Sequence, residues 1–323
     1  MRLFFTIPIA VALFALQSAF AQQPATPVVF GWAYSPDVPQ IAQAYDKDLW
    51  KSENLEPKMI PFATGRDAFE ALIGGQLDMA IMAEFPPVSG ALRNLKFSIL
   101  ATLSKYNAMR VIAKSATPIT SLSQLAGKKI GTPVGTNVHF DVADAMKSQN
   151  VKAEFVNVGP ADLIPALLRG DIDAASMFPS AYGNAKRALG AQYQEVLLPN
   201  VGEAFILVGS DKFAKEQPDV IKRFLAVLLK GEALVASDPK DSQEVTSRYV
   251  KGALPVEQVQ AIWPDYSFKI TLDNGTFDLM AREGQWVRDM GYVKEGDPSR
   301  ALYEGFVVKG PLQSLAPDRV TLD

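Results

Sequence analysis

The amino-acid sequence predicts an α/β fold of two similar lobes, each a mixed sheet flanked by helices, joined by a two-strand hinge. The first observation is the stretch Lys128–Pro179, where short apolar β-prone segments alternate with amphipathic helical segments. The second is an approximate upstream copy, because residues 71–78 (ALIGGQLD) match residues 166–173 (ALLRGDID) without a gap. Each match joins a helix end, a glycine and the start of a strand. Since 323 residues can form two hydrophobic cores, we interpret the repeat as a duplicated lobe.

The first part of the chain alternates strand-like and helix-like segments. Strands are predicted at Val28–Trp32, Met59–Phe62, Asp78–Ala83 and Ser98–Leu103. Helices are predicted at Ile41–Trp50, Arg66–Ile73 and Ala91–Leu95. The β-rich segment Arg110–Lys114 then leads through a loop into the second lobe.

The second lobe begins with the strand Lys128–Val134, which Gly135 ends in a sharp turn. Either Thr136 or Asn137 is the expected N-cap of the helix that follows. A second strand and helix come next, followed by a helix near Tyr182–Leu189 and a strand at Glu195–Leu198.

After the β-rich segment Phe205–Gly209 the pattern becomes mostly helical. Helices are predicted at Asp219–Ala236, Asp241–Val250, Pro255–Ile262 and Asn274–Met290. We expect this tail to pack back on the first lobe, which then comprises residues 22–112 and 205–323, while residues 113–204 form the second lobe. Chain crossings near residues 110–116 and 203–209 would act as a hinge that opens and closes a cleft.

Residues 1–21 have the features of a secretory signal peptide. Arg2 supplies the positive charge, Leu3–Leu16 the apolar run and Ala19-Phe20-Ala21 the small-residue cleavage pattern. The alternative is an uncleaved membrane anchor, but the apolar run is short for a membrane span. We therefore expect cleavage after Ala21 and a periplasmic mature protein that is not inserted in the membrane.

Composition excludes several kinds of site. The net charge of −3 gives no basic surface for nucleic acid. The chain has no cysteine and a single histidine, His139, so thiolate catalysis and multi-histidine metal sites are excluded. We expect no cofactor and no metal. Ser35, Ser89 and Ser180 have only His139 to share as a base, so no nucleophile–base pair is evident.

The helix after Gly135 points to a binding site. A helix that begins directly after a strand directs unpaired N–H groups, and the positive end of its dipole, toward the carboxyl edge of the sheet. Ligands bind at that edge in α/β sheets. The sequence therefore predicts a small-molecule site in the cleft, with affinity for anionic or strongly polar groups.

The order of these signals resembles a known family. The segments are KSENLEPKMIPFATGRDAFEALIGGQLDMAI, PITSLSQLAGKKIGTPVGTNVHF, PALLRGDIDAA and DKFAKEQPDVIKRFLAVLL. Together they resemble the periplasmic solute-binding proteins of ABC importers for nitrate, sulfonates, taurine and thiamine-pyrimidine precursors, the NMT1/THI5-like family. The resemblance implies a type II periplasmic binding protein fold, ligand capture between the lobes, and delivery to the permease transmembrane subunits with their cytoplasmic ATPase.

The resemblance also implies a set of ligand-binding residues. The second lobe would supply Gly135, Thr136, Asn137, His139, Phe178 and Tyr182. The first lobe would supply Tyr34, Ser35, Thr64, Gly65, Arg66, Glu84 and Phe85. In the alternative, His139 caps or packs its own helix, and the aromatic residues form the rim of a lobe rather than contact a ligand.

Glu84 bears most directly on the ligand. A carboxylate facing a simple anion is costly, so an inward-facing Glu84 favours taurine, another zwitterion or an aminopyrimidine over nitrate and plain alkanesulfonates. If Glu84 pairs with Arg66 instead, this inference fails.

Two further functions remain open at this point. A sensory receptor would use the same fold and leave no readable partner motif. An enzyme related to the pyrimidine synthases that this family also resembles would need their cysteine-rich motif, which is absent. We expect a monomeric, non-enzymatic receptor.

Overall fold

The computed structural model describes residues 24–33, 35–199, 201–250 and 254–322. The predicted signal peptide, residues 1–21, and the candidate ligand residue Tyr34 lie outside the described residues.

Thirteen strands run along the described chain. In chain order they are β1 (Thr26–Trp32), β2 (Leu55–Pro61), β3 (Met79–Ala83), β4 (Phe97–Tyr106), β5 (Arg110–Lys114), β6 (Lys129–Thr132), β7 (Glu154–Asn157), β8 (Ala174–Ser176), β9 (Tyr193–Leu197), β10 (Glu203–Ser210), β11 (Tyr266–Ser267), β12 (Leu272–Asp273) and β13 (Val320–Thr321).

Helices lie between and after these strands. They are α1 (Pro39–Asp46), α2 (Gly65–Ile73), α3 (Phe85–Leu92), α4 (Asn137–Ser148), α5 (Leu163–Arg169), α6 (Tyr182–Leu189), α7 (Asp211–Glu216), α8 (Pro218–Ser237), α9 (Pro239–Tyr249), α10 (Val256–Ile262), α11 (Asn274–Asp289), α12 (Arg300–Glu304) and α13 (Gly310–Leu315).

The two main sheets share one topology, which confirms the predicted fold class. The first has the strand order β11-β4-β10-β3-β1-β2 and the second the order β7-β6-β8-β5-β9. In the first, β1 lies parallel to β2 and β3, and β10 runs antiparallel to β3. In the second, β6 lies parallel to β7 and β8, and β5 runs antiparallel to β8. β6 is therefore the counterpart of β1, and β5 the counterpart of β10.

The sequence repeat occupies equivalent positions in the two sheets. Gly75 follows α2 with φ of 76° and Gly170 follows α5 with φ of 81°, a left-handed conformation that glycine adopts without strain. Asp78 accepts a hydrogen bond from the Val29 N–H of β1 at 2.8 Å. Asp173 accepts one from the Lys129 N–H of β6 at 2.9 Å. Both aspartates therefore tie the start of one strand to its parallel neighbour.

The chain passes between the sheets twice, between β4 and β5 and between β9 and β10. The C-terminal helices pack mainly on the first sheet and its helices; α8 and α9 lie against α1, while α11 lies against α3. The exact division at residues 112/113 and 204/205 stays a prediction. Among the described residues, no helix combines the length and the apolar character needed to cross a membrane.

One helix begins earlier than predicted. The sequence analysis placed a helix at Ala91–Leu95, but α3 begins at Phe85 and ends at Leu92. Pro86 and Pro87 lie in its first turn, where proline is tolerated because the N–H groups of that turn have no intrahelical acceptor. The prolines therefore start this helix.

Candidate functional site

A cavity of about 330 Å³ lies between the two sheets. Its wall is mostly apolar, formed from the first lobe by Trp32, Phe62, Ile81, Met82, Phe205 and Tyr266 and from the second by Leu163, Met177 and Phe178. The volume is at the lower end of the range for small-molecule pockets. Such a wall excludes water from most of a bound molecule and leaves orientation to a few polar groups.

Two helices begin at this cavity, one from each lobe. Thr64 and Thr136, which line it, are the N-cap residues of α2 and α4. The Thr64 side chain accepts a hydrogen bond from the Asp67 N–H at 3.2 Å. The Thr136 hydroxyl donates to the Pro133 carbonyl at 2.7 Å and does not cap its helix. The first N–H groups of α4 therefore face the cavity region without a side-chain cap, which favours polar or anionic groups there.

Two contacts beside the cavity join elements of the second sheet to elements of the first, to which β10 with Glu203 belongs. The Arg66 guanidinium binds Glu70 at 3.0 Å, and its Nη1 reaches the Val134 carbonyl of the other lobe at 3.4 Å. The Asn137 side-chain amide donates to the Glu203 carboxylate. The lobes thus meet around the cavity.

The predicted site residues fall into two groups. Those that line the cavity are Ser35, Thr64, Gly65, Arg66, Thr136, Asn137 and Phe178. Those that the structure places away from it are Glu84, Phe85, Gly135, His139 and Tyr182. Whether the first group contacts a ligand stays a prediction.

Glu84 faces neither the cavity nor Arg66. Its side chain is fully buried, and Oε2 accepts a hydrogen bond from the Ala204 N–H of β10 at 2.7 Å. Both alternatives considered from the sequence are therefore wrong, because β10 lies next to β3 in the sheet and supplies the partner. The inference from an inward-facing Glu84 to a particular ligand does not hold.

Glu84 belongs to a buried cluster of four carboxyl groups, Glu84, Asp141, Glu203 and Glu283, which we call the carboxyl cluster. Asp141 lies on α4 of the second lobe and Glu283 on α11. Burial raises the pKa of all four groups, and their mutual repulsion raises it further for Asp141, Glu203 and Glu283.

A single cation acts on much of the carboxyl cluster. The charge of Arg282 lowers the pKa of Glu84, Asp141 and Glu283, but burial outweighs it. The charge of Glu84 in turn raises the pKa of Glu283. Among the described residues no group of His, Asp or Glu is placed to hold a metal ion. Burial therefore disfavours the ionised form of every carboxyl in the cluster.

His139 and Phe85 are part of an aromatic core between α4 and the C-terminal helices. The His139 ring lies 5.3 Å from Trp286 and 5.5 Å from Phe155, and burial lowers its pKa to about 4. Phe85 stacks on Phe140 at 5.7 Å. The packing alternative describes the position of His139, because its imidazole lies among aromatic rings.

Tyr182 and Gly135 support the backbone near the cavity. The Tyr182 hydroxyl accepts a hydrogen bond from the Arg110 N–H at 3.0 Å, which holds α6 against β5. Gly135 has φ of 84°, and Arg66 Nη1 lies 3.2 Å from the point where a Cβ would stand. A side chain there would be strained and would crowd Arg66.

The cavity contains one carboxyl group that the sequence analysis missed. Asp37 lines the wall with Ser35, is 6% exposed, and accepts a hydrogen bond from the Trp32 indole N–H at 3.2 Å. Burial raises its pKa to about 7 despite hydrogen bonds from Ser35 and Trp32. The sequence signal that could have identified Asp37 is its position directly after the turn that follows β1.

The apolar wall was also missed in large part. Phe62 directly follows β2, and Met82, Phe205 and Tyr266 lie in β3, β10 and β11, strands that meet only in the folded sheet. Nothing in their local sequence distinguishes them from core residues.

Comparison with known proteins identifies the family. The model of the family described as NMT1/THI5 like matches residues 35–242. The chain belongs to this family. Its match spans α2, α4 and most of the cavity wall, and the family is that of the ABC-importer solute-binding proteins.

Relatives in this family are binding proteins. Proteins of Brucella abortus that carry only the description of a binding protein are 27% identical over 220 residues, covering 65% of this chain and 67% of theirs. The taurine-binding periplasmic protein of Escherichia coli is 24% identical over 233 residues, covering 70% of this chain and 72% of its own.

Solved structures share the fold. The periplasmic aliphatic sulphonate binding protein SsuA of Escherichia coli superposes with a TM-score of 0.73 at 16% identity, covering 88% of this chain and 92% of its own. The desulfurization enzyme DszB superposes with a TM-score of 0.67 at 12% identity, and the match covers 91% of this chain and 100% of the enzyme chain. The fold is therefore one that both receptors and an enzyme use.

Proposed function

We propose that this protein is the periplasmic solute-binding component of an ABC importer. The observation that carries the proposal is the cavity between two duplicated lobes, with one helix N-terminus from each lobe at its wall. The family membership and the periplasmic binding proteins among the relatives support it. Its ligand is a small polar organic solute, since about 330 Å³ accommodates only a small molecule.

In this proposal the ligand lies among Ser35, Thr64, Gly65, Arg66, Thr136, Asn137 and Phe178. Helix N–H groups and the Arg66 guanidinium bind its polar head, and Phe178 and the other apolar residues cover its body. The protein is exported by cleavage after Ala21, acts as a monomer, and delivers its ligand to the permease transmembrane subunits. In this proposal the protein is a non-enzymatic receptor, which the position of His139 in an aromatic core supports.

Ligand binding is testable by thermal unfolding of the mature chain. The panel comprises taurine, alkanesulfonates, nitrate, aminopyrimidines and aromatic acids. A ligand at 100 times its dissociation constant should add about 2.7 kcal/mol to the free energy of unfolding, a clear rise in Tm. Recovery of the ligand unchanged supports a receptor, and its conversion to a product would contradict the proposal.

Transport is tested in cells. Deleting the chromosomal gene should abolish uptake of the radiolabelled ligand, and the full chain with its signal should restore it. The variant Gly135→Val, which crowds Arg66 beside the cavity, should restore less uptake. Normal uptake in the deletion strain would overturn the assignment to an importer.

A further inference from the structure

We propose that Asp37 selects the ligand by accepting hydrogen bonds from a nitrogen donor, such as an ammonium, an amidinium or an amino-substituted ring. This inference rests on the proposed function, since it concerns the same cavity. It assigns to Asp37 a role in specificity that the carboxyl cluster cannot have, because that cluster is closed off from the cavity.

The position of Asp37 supports this role. It lines the cavity wall together with Trp32 and Tyr266, and it precedes Val38, the N-cap residue of α1. Oδ1 receives the Trp32 indole N–H, whose ring is in turn stacked on Tyr249 at 5.8 Å. Asp37 is thereby held in place by a packed aromatic ring rather than by a mobile side chain. A pre-oriented acceptor of this kind discriminates between ligands.

The charge balance around Asp37 is the second step. Within the described ranges no Lys or Arg forms an ion pair with Asp37. Arg66, which lines the same cavity, is bound to Glu70 and to the Val134 carbonyl. A buried carboxylate without a cationic partner is costly. A ligand nitrogen would supply the missing partner, whereas a simple anion would add repulsion.

The neighbouring groups act in the same direction. Burial is the main reason that the pKa of Asp37 is raised to about 7. The charge of Asp37 in turn raises the pKa of two neighbouring titratable groups, Glu203 and Tyr266. A bound cation would favour the ionised form of Asp37. Cation binding should therefore strengthen as the pH rises through about 7, the pKa of Asp37.

Paired probes test the inference. Taurine and isethionate both carry a sulfonate, but taurine has an amine where isethionate has a hydroxyl. Benzylamine and benzyl alcohol form a second pair with the same difference and without an anionic group. Calorimetric titration compares the wild-type chain, Asp37→Asn, and Glu56→Gln, an exposed first-lobe residue that matches the charge change. Asparagine keeps the size of the side chain and an acceptor for Trp32.

We expect at least one nitrogen probe to bind the wild type about 10- to 100-fold more tightly than its partner, the range for a hydrogen bond to a charged group. Asp37→Asn should remove this preference, and Glu56→Gln should keep it. The preference in the wild type should weaken at pH about 5 and remain unchanged with pH in Asp37→Asn.

Three results would overturn the inference: nitrogen-free partners that bind as tightly as the nitrogen probes, a preference that persists in Asp37→Asn, or no binding of any nitrogen probe at millimolar concentration.

Failure of the proposed function would give different results. Binding of nitrate or plain sulfonates with no effect of Asp37→Asn leaves the receptor in place and removes the role of Asp37. Turnover of a nitrogen probe, or uptake that does not depend on the protein, removes the receptor and leaves Asp37 as a ligand contact.

Discussion

Two regions of this protein bury carboxyl groups, and they differ in what surrounds them. Asp37 borders the cavity and accepts hydrogen bonds from Trp32, from Ser35 and from the backbone N–H groups of Asp37 and Val38. Glu84, in the carboxyl cluster, is covered completely, and its Oε2 accepts a hydrogen bond from the Ala204 N–H. The same chemical group is therefore positioned to meet a ligand in one region and to join structural elements in the other.

The comparison shows that burial of a carboxyl does not by itself mark a binding site. Both regions have raised pKa values for the same main reason, desolvation. Access to the cavity separates them, because Asp37 lines it and the four residues of the carboxyl cluster do not. Stability should therefore respond most to changes in the carboxyl cluster, and binding to changes at Asp37.

The largest effect should come from Glu84→Ala. It removes the acceptor of the buried Ala204 N–H and should lower the free energy of unfolding by about 2–4 kcal/mol in urea titrations. Glu84→Gln keeps an acceptor for the Ala204 N–H, and its new N–H groups can donate to neighbouring carboxyls. It should therefore lower the free energy of unfolding by about 1 kcal/mol or less. Equal losses in the two variants would show that shape, rather than this hydrogen bond, matters.

The next effect is the pH dependence of stability. The pKa values of the cluster carboxyls are raised in the folded state, whereas the unfolded chain releases these protons above pH about 4.5. The free energy of unfolding should therefore fall as the pH rises. The expected slope is about 1.4 kcal/mol per pH unit for each extra proton that the folded state holds.

His139 acts in the opposite sense at lower pH. Its pKa is lowered to about 4, so the unfolded chain takes up a proton there that the folded chain does not, and stability falls with acid below pH about 6.5. Urea titrations above pH about 7.5, where the histidine of the unfolded chain has lost its proton, report mainly on the buried carboxyls, among them Asp37 with its pKa of about 7. The slope should be smaller in Glu283→Gln, and a stability that rises with pH in that interval would contradict the assignment.

A smaller effect is expected from Asp37→Asn on stability. Ionisation of Asp37 is unfavourable in the folded state, so removing the carboxyl should stabilise the free protein by about 1 kcal/mol above pH 7 while reducing binding. Thermal unfolding without ligand measures the difference. A destabilisation as large as that of Glu84→Ala would place Asp37 among the structural carboxyls.

The smallest effect should come from Ser35→Ala. Its hydroxyl lowers the pKa of Asp37, so its loss should raise that pKa and move the pH of half-maximal nitrogen-probe binding upward. Stability should change by about 0.5 kcal/mol or less. Binding measured across pH checks this, and a downward movement would show that Ser35 does not donate to Asp37.

The fold was largely predictable from the sequence because its repeat is local. The helix end, glycine and strand start at residues 71–78 and 166–173 follow rules that need only a few neighbouring residues. Gly75 and Gly170 have the conformation that such a helix end requires, and Asp78 and Asp173 make equivalent strand contacts. The start of α3 was missed because Pro86 and Pro87 can either end a strand or begin a helix.

The site was only partly predictable, because its partners are distant in the sequence. Helix starts such as Thr64 and Thr136 were found from local patterns and line the cavity. Glu84 turns toward Ala204, which is 120 positions away, and His139 packs on Trp286 of the C-terminal tail. No local pattern shows which strand or helix will lie beside these side chains. Asp37 was missed although its partners Trp32 and Ser35 are close in the sequence.

The most direct test of the account is to identify the solute bound to the protein isolated from the periplasm of cells that produce it. Native mass spectrometry of the mature chain, followed by release and analysis of the ligand, gives its composition. We predict a small organic molecule with a nitrogen donor, retained by the wild type and by Glu56→Gln and lost from Asp37→Asn. An inorganic oxyanion or a nitrogen-free sulfonate, retained equally by all three, would contradict the account.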